Sequence, residues 1–457
     1  MQLPSEAGTR HFEGALKCTR GDVKIRLSIE DWDFTRYPDI EILEPPQGAP
    51  RLIPHISASG WFCYLAAGSI VLDRYAPDVA IGQCLEIAAA ELNRLLADAR
   101  YREGELQTEF GASWSVGQHP RPVPATLGSI GAGNTSAKAY FMGEANDRWL
   151  LISADEAEPI RVSKAMGTTR PTSSLGCWVL RSERFPSVGE NGVPETVGEL
   201  FAWLKSWDDA LYRDFQHRLG KGPFKKPGHI LVAVHCPAGW FGFMFELDKI
   251  LITGFGRKPS VLRQQLHMRR RSTKLERLTL SEMSPDFIHG RNLNFPSLKD
   301  KKIVLIGCGA IGGYLVEGLV RLGAGTGGGE LLLVDPDELA PGNLGRHTLG
   351  MESLRQAKVT ALAARLGFEF PHAKVTPRQR FAAFPGDLVG DLVINASGEE
   401  ALSEAMNFHR LKLPECRRPP SLHVWVTGEG ACTQALWVDA SKCRGQVLVD
   451  TAIGDFR

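Results

Sequence analysis

The residue types suited to group transfer fall in two places, one thiol near the N-terminus and one glycine-rich stretch in the last third. In the latter, K-K-I-V-L-I-G-C-G-A-I-G-G runs from Lys301, followed by L-L-L-V-D-P-D-E-L-A-P-G-N-L-G-R-H and then Q-A-K ending at Lys358. Gly307, Gly309 and Gly312 follow a short apolar run directly, so the order is strand, glycine turn, helix. A Cβ in that turn holds phosphate oxygens away from the N–H groups at the helix start. Asp335 ends the next apolar run and suits the hydroxyls of a ribose. A glycine pattern alone fits many dinucleotide proteins. Asn343, Arg346 and Lys358 go further, because an amide and two cations suit a triphosphate whose α-phosphorus is attacked by an acyl oxygen.

The thiol is Cys63, in P-H-I-S-A-S-G-W-F-C. An unperturbed thiol with pKa about 8.5 is only a few per cent thiolate at neutral pH, so a nucleophilic cysteine benefits from a neighbour. Cys84, on the helical pattern that follows, reads as a buried small apolar side chain.

Elements must hold these groups. Ile25, Leu27 and Ile29 alternate with polar residues as a half-buried strand, and a second extended stretch spans Ile40 to Leu43. Ile81, Leu85, Ala88, Leu92 and Leu95 recur at helical spacing after the cysteine loop. Ile303 to Ile306 and Leu331 to Val334 read as buried parallel strands, with a helix near Tyr314 to Leu322 between them. The region between the two modules carries an aromatic-rich segment, Phe201 to Trp207, and an apolar run, His229 to His235, and predicts a mixed α/β connecting domain. Arg269 to Arg277 reads as a solvated connector.

With 457 residues, the chain predicts about three domains. A net charge of +1 does not suggest nucleic acid as the main partner. Nine cysteines without pair spacing fit a reduced, cytoplasmic compartment. A polar start and the lack of any apolar run near 20 residues predict no export signal and no membrane span.

G-C-G-A-I-G-G, V-D-P-D, N-L-G-R-H and Lys358 together resemble the adenylation domain of the ubiquitin-activating and ThiF/MoeB superfamily over roughly residues 285 to 457. The resemblance implies ATP and Mg2+ as cofactors. It assigns Lys358 and Arg346 to the phosphates, Asn343 to an assisting role, Asp335 to ribose and Arg291 to the nucleotide of a partner subunit in a homodimer. Two family features are missing. The magnesium aspartate of a D-C-T-D segment is replaced in D-L-V-I-N-A-S-G-E-E by Gly398, leaving Asp337, Asp391, Glu399 or a water shell for the ion, and the paired C-x-x-C zinc motifs of sulfur-transfer members are not found.

The N-terminal order of strands, cysteine loop and helix resembles ubiquitin-conjugating enzymes, whose H-P-N tripeptide precedes G-x-x-C. Here Ile53, Pro54 and His55 fill the tripeptide, and His55 takes the asparagine position eight residues before Cys63, where the resemblance implies that it donates to an oxyanion or, when protonated, lowers the thiol pKa. The fusion resembles proteins of bacterial cyclic-oligonucleotide-based anti-phage signalling (CBASS) operons. Expected is an α/β multidomain chain: a ubiquitin-conjugating-like α+β domain at 1–112, a mixed α/β linker domain at 113–284 and a Rossmann-like ThiF-type adenylation domain at 285–457. The resemblance implies adenylation of a partner's C terminus, either a cGAS/DncV-like nucleotidyltransferase or a ubiquitin-like protein. Thioester transfer through an activating cysteine and Cys63 to target amines follows. Cys443 in S-K-C-R is the chosen activating cysteine, with Cys416, Cys432 and a position beyond Arg457 as competitors. A nicotinamide oxidoreductase sharing the glycine turn and a non-catalytic adenylation-fold scaffold stay open as alternatives.

Overall fold

The computed structural model describes the chain apart from residues 1–7, 46–47, 51, 58, 115–122, 145–146, 172, 189–191, 222–227, 292, 294–295, 428–429, 431 and 441–457. Three groups of strands, each with its own core, follow one another along the chain.

The first is an antiparallel meander, β1 (Arg10–Leu16), β2 (Val23–Ile29), β3 (Asp39–Ile42) and β4 (Trp61–Phe62). Val23, Ile25, Leu27 and Ile29 of β2 are buried while the residues between them face outward, as the alternating pattern requires. Helix α1 (Pro77–Ala97) lays Ala80, Cys84, Ala88, Leu92, Leu95 and Leu96 on this sheet. Cys84 is therefore a packing residue. Asp98 ends α1 and starts α2 (Ala99–Thr108), its carboxylate accepting from the N–H groups of Arg100 and Tyr101 at 2.9 and 3.0 Å. The chain thus turns without a loop, and α2 and the short α3 (Phe110–Trp114) run on toward the second core.

That core surrounds a closed barrel, an outcome more specific than the expected mixed α/β connector. Its strands are β5 (Ala125–Leu127), β6 (Ser136–Met142), β7 (Trp149–Ser153), β8 (Ser174–Arg181), β9 (His229–Cys236), β10 (Gly239–Glu246) and β11 (Glu276–Glu282), in the order β10-β11-β5-β7-β6-β8-β9. Ala125, Ala137, Ala139 and Ala233 are small enough to let Leu127, Leu150, Ile152, Leu231 and Leu278 fill the inside. Helices α4 (Glu158–Met166), α5 (Val197–Trp207), α6 (Asp209–Leu219), α7 (Lys249–Phe255) and α8 (Pro259–Met268) accompany it. Leu106, Phe110 and Trp114 belong to the core between the barrel and these helices, so the boundary expected after residue 112 falls inside α3.

After α9 (Pro285–Gly290), the third group is a six-stranded sheet, β14-β13-β12-β15-β16-β17. It contains β12 (Lys302–Ile306), β13 (Glu330–Val334), β14 (Val375–Arg378), β15 (Leu392–Asn395), β16 (Ser421–Thr427) and β17 (Cys432–Val438), all parallel except β17. Helices α10 (Ala310–Arg321), α11 (Lys358–Glu369) and α12 (Glu400–Lys412) complete it. The chain winds outward from β12 to β14 and then returns to β15 on the other side of β12. This reversal opens a crevice at the C-terminal ends of β12 and β15, the usual ligand position in such sheets.

Candidate nucleotide and thiol sites

Gly307 leaves β12 at that crevice with φ +85°, and a Cβ on it would lie 2.6 Å from the N atom of Ser397. Glycine is required there on both counts. A Cβ on Gly312 would collide with the carbonyl oxygen of Gly307, so the helix and the turn are pressed together. Gly309 differs. It caps α10 and has open space where a Cβ would stand, which is where a ligand can approach the helix start.

Asp335 is buried at the end of β13 and has two structural tasks. One oxygen accepts from the Cys308 N–H at 2.7 Å and the other from the Asp337 N–H at 2.8 Å. Each oxygen keeps a second lone pair free to accept from a further donor such as a hydroxyl. Lys358 is the first residue of α11, a place where a cation is disfavoured by the helix dipole. Its buried ammonium donates to the Asp337 carboxylate at 2.8 Å, and its positive charge opposes the upward shift that burial and Asp335 impose on the Cys308 thiol. The lysine therefore stands next to the glycine turn.

Other expected residues are placed differently. Arg346 is exposed and folds back to the Gly342 carbonyl at 2.9 Å, and the Asn343 side chain caps its own turn by accepting from the Ala340 N–H at 2.9 Å. Arg291 follows α9 and lies over the Phe287 ring at 5.4 Å. Asp391 is removed from the magnesium candidates. Its carboxylate accepts from the Lys302 N–H at 2.7 Å, at the opposite end of β12 from the glycine turn. Asp337 and Glu399 are on the crevice side, and Gly398, with φ +73°, takes the place of an acid. Among the described residues no three His, Cys, Asp or Glu side chains gather as a metal cluster. Cys443 lies outside the described residues, while Cys416 and Cys432 are free and exposed.

At the first module, Cys63 is a free, half-buried thiol whose N–H donates to the His55 carbonyl at 2.8 Å across the loop. Gly60 holds that loop at φ +89°, since a Cβ would run into the Ile42 carbonyl oxygen of β3. His55 has φ +66°, and its imidazole is 15% exposed. Both ring nitrogens are engaged, Nε2 with Glu105 at 3.1 Å and Nδ1 with Glu109 at 3.0 Å. The expected help to the thiol is not seen in this arrangement. Burial first, and the negative charge of Glu109 second, push the Cys63 thiol up from its ordinary value. Sequence reasoning missed Glu105 and Glu109, because two carboxylates four residues apart on a helix look like any solvated face.

No described helix is long and apolar enough to cross a membrane. Residues 287–393 match the model of the ThiF family. Over 417 residues the chain is 32% identical to ATP-dependent ubiquitin transferase-like protein Cap2 of Pseudomonas aeruginosa, which covers 89% of this chain and 72% of that protein. The Escherichia coli protein of the same name is 27% identical over 470 residues, 93% of this chain and 76% of the relative. Among solved structures, E. coli MccB with ATP is similar at 21% identity and a TM-score of 0.25, over 28% of this chain and 38% of that one.

Proposed function

Since this chain belongs to the Cap2 family of ATP-dependent ubiquitin transferase-like proteins, we propose that it uses ATP to activate the C-terminal carboxylate of a partner protein and conjugates it to amines in CBASS anti-phage defence. The observation that carries this reading is the buried Lys358 ammonium beside a glycine turn that opens at Gly309, with Asp335 one strand away. In the first step a carboxylate oxygen bonds to the α-phosphorus and pyrophosphate leaves. Lys358 exchanges Asp337 for phosphate oxygens, offsetting charge as it builds. Arg346 swings from Gly342 to the same phosphates, and Asn343 holds its loop in shape.

Mg2+ takes one or two carboxylates together with phosphate oxygens and water, and Asp337 and Glu399 suit that limited demand. The ion would neutralise phosphate charge.

A cysteine thiolate then attacks the acyl carbon and AMP leaves. Cys443, with Cys416 and Cys432 as competitors, is our candidate for this thiol. The ubiquitin-conjugating-like module at 1–112 receives the acyl group on Cys63 and passes it to an amine, whose nitrogen displaces the sulfur. The meander, the cysteine loop and α1 in that order support this assignment. The middle domain connects the two modules, and the whole works as a homodimer in which Arg291 serves the neighbouring nucleotide. The activated partner is a cGAS/DncV-like nucleotidyltransferase or a bacterial ubiquitin-like protein.

Pyrophosphate–ATP exchange with the protein encoded next to this chain's gene tests the reading. Lys358→Ala is expected to slow exchange by about a hundredfold or more. Exchange at the unmodified rate removes Lys358 from the role, and binding of NADH in place of ATP overturns the function.

A further inference from the structure

We propose that His347 is a positioning residue of the nucleotide site, holding the Cys308 carbonyl so that the Gly309 N–H points at the phosphates. The inference rests on the crevice being the ATP site. His347 is buried, and its two ring nitrogens have different partners. The Leu349 N–H donates to Nδ1 at 3.1 Å, which makes Nδ1 the bare nitrogen. Nε2 then carries the proton and donates to the Cys308 carbonyl oxygen at 2.7 Å. That carbonyl belongs to the peptide that joins Cys308 to Gly309. In a planar trans peptide the C=O and the following N–H point in opposite directions, so fixing the carbonyl toward His347 turns the Gly309 N–H away from it.

The other end of the same residue is fixed too. The Cys308 N–H is held by Asp335 at 2.7 Å, so neither peptide flanking Cys308 is free to rotate. Gly313 admits the imidazole: a Cβ there would stand 3.2 Å from ring atoms Cε1 and Nε2. The Thr348 hydroxyl donates to the Gly313 carbonyl at 3.4 Å, and Arg365 of α11 donates to the Thr348 carbonyl at 3.1 Å. His347 thereby joins the glycine turn to the loop bearing Asn343 and Arg346. Two phosphate-facing segments that are distant in sequence are held by one side chain.

The test measures ATP affinity of the full chain with a fluorescent ATP analogue. His347→Leu is expected to weaken binding by about tenfold, the loss of roughly one hydrogen bond's worth of alignment. His347→Gln keeps a donor for Cys308 and is expected to recover most of that affinity. A variant that merely loosened the fold would not show this recovery. Amide hydrogen exchange of the unmutated protein gives an answer independent of variant folding: ATP is expected to protect the peptide containing Gly309. Equal affinity for His347→Leu, or absence of protection when ATP is bound, overturns the proposal while leaving the nucleotide site standing. Failure of the unmutated chain to bind ATP overturns both.

Discussion

At the scale of single residues, the two ends of the proposed relay are in opposite electrostatic settings. Lys358 brings a buried positive charge to the turn proposed to hold the phosphates. Cys63 sits beside a negative one, at Glu109, which disfavours its thiolate and favours a cationic amine nearby. The sign gives a test. Removing the Glu109 charge lowers the Cys63 thiol from its raised position, so Glu109→Gln is expected to speed alkylation of Cys63 at pH 7.5, with the advantage fading at a pH where both thiols are ionised. Glu105→Gln, which leaves that charge in place, is the comparison. Equal rates for Glu109→Gln and the unmutated chain would show that burial alone sets the thiol.

The elements explain which parts of this arrangement were readable beforehand. Gly307 and Asp335 announce themselves because the turn after one strand and the end of the next impose residue types at short range, and Lys358 is read as the start of the helix that follows. Asp391 misled because it precedes the short strand β15 while Gly398 follows it, so the two lie at opposite ends of the sheet, a distinction that register supplies and composition does not. The His55 clamp was hidden since its partner Glu105 is 50 residues away. The barrel was hidden as well: His229 to His235 is legible as an apolar run, but the closing pairs β10 with β11 and β11 with β5 join segments far apart in sequence, which no local pattern supplies. At this scale the three glycines separate by what a Cβ would meet: backbone at Gly307 and Gly312, open space at Gly309. Gly307→Ala combines positive φ with a backbone collision and is expected to cost about 2–4 kcal/mol of stability. Gly309→Ala, at φ −77° with open space, is expected to melt within a few degrees of the unmutated chain yet bind ATP about tenfold less tightly. Thermal unfolding with and without ATP reads both, and a Gly309→Ala chain with unchanged affinity would place the phosphates elsewhere.

Across the whole molecule, the setting of Cys63 is tied to the middle core by a single turn of chain. Glu109 faces His55, and the next residue, Phe110, is 1% exposed in a cluster with Trp114, Trp203 and Phe241, at ring separations of 5.4, 6.1 and 5.0 Å. Trp114 fixes the far end of α3 by donating to the Gly242 carbonyl at 2.6 Å. The clamp on the thiol loop is thus anchored in the middle core, whereas Ile53, Ile56 and Phe62 of the loop pack in the first one and Leu52 alone of its start reaches the middle core. Truncating Phe110 leaves a cavity there, and Phe110→Ala is expected to cost about 3–5 kcal/mol, measured by urea unfolding with tryptophan fluorescence. If the anchor works as the contacts indicate, this variant alkylates faster at Cys63 under conditions where it is still folded, because Glu109 is no longer held in place. Combining it with Glu109→Gln then adds little further speed, since both changes remove the same charge from the thiol. A Phe110→Ala chain that is destabilised but alkylates at the unmutated rate would show that the first module places its carboxylates without help from the barrel.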